Sequence, residues 1–426
     1  MDDFTITSVA VKENTLKISF EVTGRWKDYV RAATFFCTYN RNIEGIPDSI
    51  AIIPLLGNVL PIAWVHGLNL SVQVVDEAFY TYLPKVFEGY QKMYPGLKLR
   101  NSFTAEKVED NRTDGTCREA CFFSGGVDAN YTFLRHRDSI GALATVWGAD
   151  IALDDLTGWK NVEDSVDAVS QKYGVEKFTI RSNFREFLNY ESLNRYAYDC
   201  NHAWNWWREF QHGMGLITLM APLAYSEGLT RIYIASTYTA ADIGKVTSAS
   251  DPSIDNFVRF GSCETVHDGI EADRQGKVAY LVNYSRDHHD PLDLRVCYTS
   301  RGGKNCCVCE KCCRTMTAIL LEDGNPHDYG FDGKNASSVR IARNMRYRNR
   351  AVGGAGREWN VLHTTFREKY TEQTVPREWK WFYRGGADSI NNNLVFRALE
   401  PWRRIKRKLK SAAKKLRTFC GRRAKA

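Results

Sequence analysis

The chain has 426 residues, 43% hydrophobic and 25% charged, which is long enough for two or three domains with a sizeable core. Its formal net charge of +8 is carried by the last 25 residues. Residues 402–426 hold twelve Lys or Arg and no acid, and without them 46 basic residues face 50 acidic ones. This distribution argues against a generally basic, nucleic-acid-coating body and assigns the basicity to a tail.

No apolar run reaches the length of a membrane span. The nearest, "SIAIIPLLGNVLPIAWV" (49–65), is interrupted by two prolines and a glycine. The N-terminus opens acidic and lacks the basic-then-apolar order of a signal peptide, so the expected location is cytoplasmic.

Residues 1–115 read as a mixed α/β domain. "TLKISFEV" (15–22) and "LSVQVVD" (70–76) alternate as strands do, and "EAFYTYLPKVFEGYQKMYP" (77–95) carries helical spacing up to Pro95. The polar, turn-rich "EDNRTDGT" (109–116) marks a domain boundary.

From residue 116 to 325 short apolar runs alternate with amphipathic segments. "EACFF", "IGALATVWG", "VEKFTIRSN" and "RIYIASTY" read as strands. "VDANYTFLRHR", a segment stopping at Gly174 and "HGMGLITLMAPLAYSEG" read as helices. Such alternation predicts a Rossmann-like, doubly wound parallel sheet with helices on both faces. A helix follows in "EKCCRTMTAILLEDG". Residues 326–401 form an extension without a legible fold.

One strand-to-helix junction reads "FSGGVDA". In a parallel sheet, ligands sit beyond the carboxyl ends of strands. Gly125 and Gly126 let the backbone approach an anion, and the free amides of a helix start favour phosphate. Ser124 adds a hydroxyl, and Val127 opens the helix. Asp128 fits either a helix cap or a position near phosphate-bound Mg²⁺. A plain tight turn fits the same glycines. The Walker and dinucleotide glycine patterns are both absent.

Trp147 and Gly148, in "VWGAD", and Ser236, in "IASTYT", end two other strands and would line the same crevice. In "HDGIEADRQGK", Glu271, Arg274 and Lys277 recur every third residue on a helix expected to begin near Gly269. They fit a solvated charged face, or a pair of cations that neutralise a pyrophosphate leaving group. "NHAWNWWREFQHGMG" (201–215) fits a base-stacking surface or an ordinary aromatic core, with His212 as its functional candidate.

Six of twelve cysteines fall between 297 and 313. Cys297, Cys306, Cys309 and Cys312 follow the spacing C-x8-C-x2-C-x2-C, which can close a tetrahedral Zn²⁺ site. An iron–sulfur cluster and a metal-free turn remain open at this stage, as do the neighbouring Cys307 and Cys313 as ligands.

The tail places apolar residues at 402, 405, 409, 412, 416 and 419, a narrow helical stripe among basic residues. It fits a membrane-surface contact, an RNA contact or a solvated tail.

"SGGVDA" resembles the phosphate loop of the PP-loop ATP pyrophosphatases. The cysteine spacing resembles the zinc motif of the 7-cyano-7-deazaguanine synthases within that superfamily. The resemblance spans about residues 120–320 and departs at Ala129, where the family carries a serine. It implies ATP, Mg²⁺ and Zn²⁺ as cofactors, with Ser124, Gly125, Gly126 and Asp128 on the phosphates. It further implies an AMP- and pyrophosphate-forming ligase that adenylates a carboxylate or related carbonyl for attack by ammonia or an amine. Asp128, Arg274 and Lys277 would be its catalytic residues. The alternatives are a tRNA-modifying enzyme, a surface-glycan-modifying amidating enzyme, and a nucleotide-binding interaction protein without catalysis.

Overall fold

The computed structural model describes residues 2–114, 118–199, 205–297 and 302–392. The basic tail at 402–426 lies outside them. Two compact units divide the chain. One comprises Met1–Leu281 with Asp293–Arg295 and Ser300–Lys304; the other comprises Val282–Leu292, Val296–Thr299 and the residues from Asn305 onward.

The first unit is built on an eight-stranded sheet. Its strands are β1 (Phe4–Lys12), β2 (Thr15–Val22), β3 (Thr34–Tyr39), β6 (Arg118–Phe122), β7 (Ile140–Trp147), β8 (Glu176–Ser182), β9 (Leu229–Ala235) and β10 (Glu264–Asp268). β4 (Leu70–Asp76) and β5 (Phe103–Glu109) form a separate parallel pair. The large sheet runs β1-β2-β3-β8-β7-β6-β9-β10. β8, β7, β6, β9 and β10 are mutually parallel, and β3 joins β8 antiparallel.

The α/β class expected from the sequence is therefore present, with one difference in organisation. The expected boundary near residue 115 does not separate compact units, because β1–β3 extend the sheet to which β6–β10 belong. The polar link is pinned as well. Asn111 Nδ2 donates to Asp76 Oδ1 and to Ser49 Oγ, both at 2.9 Å.

Local sequence explains most elements. Asp76 caps the helix Glu77–Met93 by accepting from Phe79 N at 2.9 Å, and Gly174, left-handed at φ 66°, ends the helix Leu156–Tyr173. The apolar run at 49–65 becomes the helix Ile53–His66, buried on every side from Ile53 to Val65. Its one amide side chain, Asn58, is satisfied. Nδ2 donates to Pro54 O and Gly215 O, and Oδ1 accepts from Gln211 Nε2 at 2.6 Å.

Two expected helices differ. The long helix before Gly228 breaks into Met214–Ile217, a tight turn Thr218–Met220, and Ala221–Ser226. Pro222 has no N–H to return to the Thr218 carbonyl, so the regular ladder cannot run through. The helix expected from Gly269 begins at Arg274, since Gly269 sits at φ +89°.

The sheet order also fixes a switch point. β6 has β7 on one side and β9 on the other, so the chain leaves β6 toward β7 and β8 and returns to add β9 and β10. Such reversals open a crevice at the carboxyl ends of the two central strands, here β6 and β9.

In the second unit, residues 325–392 are helical. The helices Ser338–Arg348 and Gly354–Lys369 pack with Glu310–Leu321, and Lys380–Asn391 packs on those two. Phe382 meets Trp359 and Phe366 edge-on, with ring centroids 5.4 and 5.3 Å apart.

Gly89, on the helix Glu77–Met93, shows how closely the first unit is packed. A methyl group there would lie 2.3 Å from the Ser253 carbonyl oxygen. Alanine gains roughly 1 kcal/mol in helix propensity. Overpacking against backbone costs about 1–3 kcal/mol. Gly89→Ala should therefore lower stability in urea unfolding; an unchanged or raised midpoint would mean that the 252–255 turn yields freely.

Candidate functional site

The loop after β6 is fixed by contacts to its carbonyls. Arg295 N donates to Gly125 O at 2.7 Å and its Nε to Ser124 O at 3.0 Å. Asn130 Nδ2 donates to Gly125 O and Gly126 O at 3.0 and 2.9 Å. Gly125 takes φ +75°, and a side chain there would meet Arg295 Cβ at 3.3 Å. The helix Val127–Arg135 starts with no side-chain cap. The first amides of a helix have no intrahelical acceptor, so the loop presents donors at the positive end of the helix dipole.

Asp128 faces two cations. Its Oδ2 is 2.7 Å from Arg274 and its Oδ1 is 3.7 Å from Lys277 Nζ. The Arg274 and Lys277 side chains are 9% and 1% exposed. Lys277 Nζ also donates to Ser236 O at 2.6 Å, just beyond β9. Burial pushes the Lys277 pKa down, and Asp128 acts against that shift. Glu271 and Asp268 act on Lys277 in the same sense as Asp128, so the two nearly buried cations sit in an acidic surround.

Glu271, expected on the same helix face, lies before the helix. It is bound to Tyr131 and Arg135 on the opposite side of the crevice. Asp268, the last residue of β10, accepts from Thr132 Oγ1 at 2.7 Å and bonds His136 Nε2 at 2.9 Å.

The structure thus brings Ser124, Gly125, Gly126, Val127, Asp128, Arg274, Lys277 and Ser236 to the switch point. Ser236 contributes its carbonyl, while its hydroxyl is spent on its own turn, on Tyr238 O at 2.6 Å. Trp147 and Gly148 end β7, on the side of β6 away from β9. Trp147 stacks on Trp159 at 5.2 Å and donates to Ala152 O. Gly148, at φ +109°, allows a close approach in which a Cβ would lie 2.1 Å from Ser182 O. The described part of the tryptophan-rich segment is core: Trp206 is fully buried and stacks on Phe210 at 4.6 Å. His212 packs edge-on against Trp207, and burial lowers its pKa.

Two contributors were not visible in the sequence. Arg295 shapes the loop from about 170 residues away. Asp255 bonds His267, with Oδ2 and Nδ1 2.8 Å apart, both side chains being almost wholly buried.

In the second unit, the sulfurs of Cys297, Cys306, Cys309 and Cys312 all lie within 4.8 Å of one another. Cys297 and Cys309 are 3.8 Å apart, and Cys306 and Cys312 are 3.9 Å apart. A tetrahedral zinc with bonds of about 2.3 Å implies sulfur separations of about 3.8 Å. The donor set therefore fits a metal ion such as zinc. Amides of Cys309 and Cys312 donate to Cys306 Sγ and Cys309 Sγ, as outer bonds to thiolate ligands do. Asn305 Oδ1 accepts from Val296 N and Cys297 N, and its Nδ2 donates to Gly330 O. Cys307 and Cys313 fall outside the quartet. Burial pushes the Cys307 thiol up to about 11 and raises Cys313 as well, which favours their remaining thiols.

No protein-family model, curated protein or solved structure matches this chain. Among the described residues no helix is long and apolar enough to cross a membrane.

Metal analysis should find about one zinc per chain, since four thiolates complete a structural site. Cys309→Ser should lose most of that metal and lower the melting temperature of the purified protein. Full metal content in that variant would assign the ion to other ligands.

Proposed function

We propose that this chain is a PP-loop enzyme that uses ATP to adenylate a carboxylate or related carbonyl, releasing pyrophosphate. Ammonia or an amine then displaces AMP. The observation that carries this reading is the placement of the Ser124–Asp128 loop at the switch point, with Asp128 held between Arg274 and Lys277.

In the proposed reaction the loop amides and the start of the helix Val127–Arg135 hold the ATP phosphates. Asp128 would hold Mg²⁺, which would supply charge neutralisation on the phosphates. An acceptor oxygen attacks the α-phosphorus, and the bond to pyrophosphate breaks. Arg274 and Lys277 neutralise the charge that builds on the leaving group, and their near-complete burial strengthens that effect. The nitrogen nucleophile then attacks the activated carbon, and the C–O bond to AMP breaks. The cysteine quartet would hold zinc as a structural staple, because four thiolates leave no open position for chemistry.

The test is product analysis with Mg-ATP, ammonium chloride and a cell-extract metabolite pool. Extract-dependent AMP and pyrophosphate are expected. Asp128→Ala and Lys277→Met should each reduce their formation by roughly a hundredfold or more. ADP and phosphate as the products would overturn the mechanism.

A further inference from the structure

A small cavity lies beside the candidate phosphate site, lined by Ser236, Thr239, Asp242, Asp251 and His267 among others. Its volume is about 10 Å³. That is close to the smallest space that admits one water-sized molecule. Ser236 belongs to both sites, since its carbonyl receives the Lys277 ammonium.

His267 is fixed with unusual care. It sits on β10, with its N–H donating to Asn256 Oδ1 at 2.7 Å. Asp255 Oδ2 faces Nδ1 at 2.8 Å and also accepts from Ser250 Oγ at 2.7 Å. A carboxylate only accepts, so Nδ1 carries a proton, and in the neutral ring Nε2 presents its lone pair. Among the described residues Nε2 makes no hydrogen bond, while the ring lines the cavity. Two glycines admit this arrangement. A Cβ at Gly213 would lie 2.4 Å from Asp255 Oδ1, and one at Gly89 would lie 2.3 Å from Ser253 O on the same turn.

We propose that this cavity holds the nitrogen nucleophile as ammonia and that His267 is the base that takes its proton. The inference rests on the adenylation reading and specifies its second step. Ammonia donates one N–H to His267 Nε2, which turns its lone pair toward the activated carbonyl carbon. The C–N bond forms, and the C–O bond to the adenylate breaks, with the electron pair leaving on AMP. The surplus N–H proton passes to Nε2. Asp255 stabilises the imidazolium so formed, and Asp242 and Asp251 favour a cationic nitrogen in the cavity. The cavity's size selects ammonia over larger amines.

The first test needs neither ATP nor the acceptor. The full-length protein is titrated with ammonium chloride, methylammonium chloride or potassium chloride while the His267 ring nitrogens are followed by NMR. The buried Nδ1–H bonded to Asp255 identifies this ring through its far-downfield proton. Nε2 should shift saturably with ammonium only. An unmoved Nε2, or an equal response to potassium, would overturn the proposal.

The second test is kinetic. His267→Gln should lower kcat/KM for ammonium by roughly a hundredfold. An unchanged value would overturn the role given to His267. If AMP never forms while Nε2 responds to ammonium, the adenylation reading falls and the ammonia site stands. If AMP forms and Nε2 stays silent, this inference alone falls.

Discussion

Asp128 between Arg274 and Lys277 is the contact around which the first unit's candidate site is organised. It joins the helix after β6 to the helix after β10, across the reversal of the sheet, and Lys277 extends it to the carbonyl beyond β9. Three segments far apart in sequence therefore meet at one point. Burying two cations against one carboxylate is costly, and removing one partner of such a group leaves uncompensated charge. Glu271 and Asp268 lie near enough to Lys277 to offset part of that cost, and the amides at the neighbouring helix start add donors at the same point.

The cysteine quartet follows the same rule in the second unit by a different route. Four sulfurs brought within 4.8 Å repel one another once ionised, so the turn is stable only if a cation or retained protons sit among them. The surroundings favour the cation. Amides aim at the sulfurs, and Asn305 holds the two halves of the ligand segment in register. Arg314, two residues beyond the last ligand, is engaged with Glu310 and Glu358.

What could be read from the sequence was what has a local cause. β2 and β4 begin and end where alternation begins and ends, because a half-buried strand imposes a period of two. The glycine loop and the cysteine spacing were legible because turns and metal coordination demand particular residue types at short range. The helix Ile53–His66 carries no readable period because every face is buried. The joining of β3 to β8 depends on pairings such as Cys37 with Ser182, which no local pattern announces. Residues 325–392 looked irregular because their helices are rich in arginine and asparagine, and their apolar stripe is made of scattered aromatics.

The Asp255–His267 pair marks the limit most sharply. His267 opens the segment read at 267–277 and Asp255 lies outside every segment read for function, and no local pattern links them. Asp255 is placed by a capped turn, in which Asp251 accepts from Ser253 N at 2.9 Å, and by the absence of side chains at Gly89 and Gly213. His267 is placed by its register on β10 opposite Ile234 of β9. The pair is assembled by the packing of elements that share no sequence signal. An ordinary buried histidine would be satisfied as well by a carbonyl; here its partner is a buried carboxylate that also accepts from Ser250 Oγ, with no side chain at Gly213 to displace it.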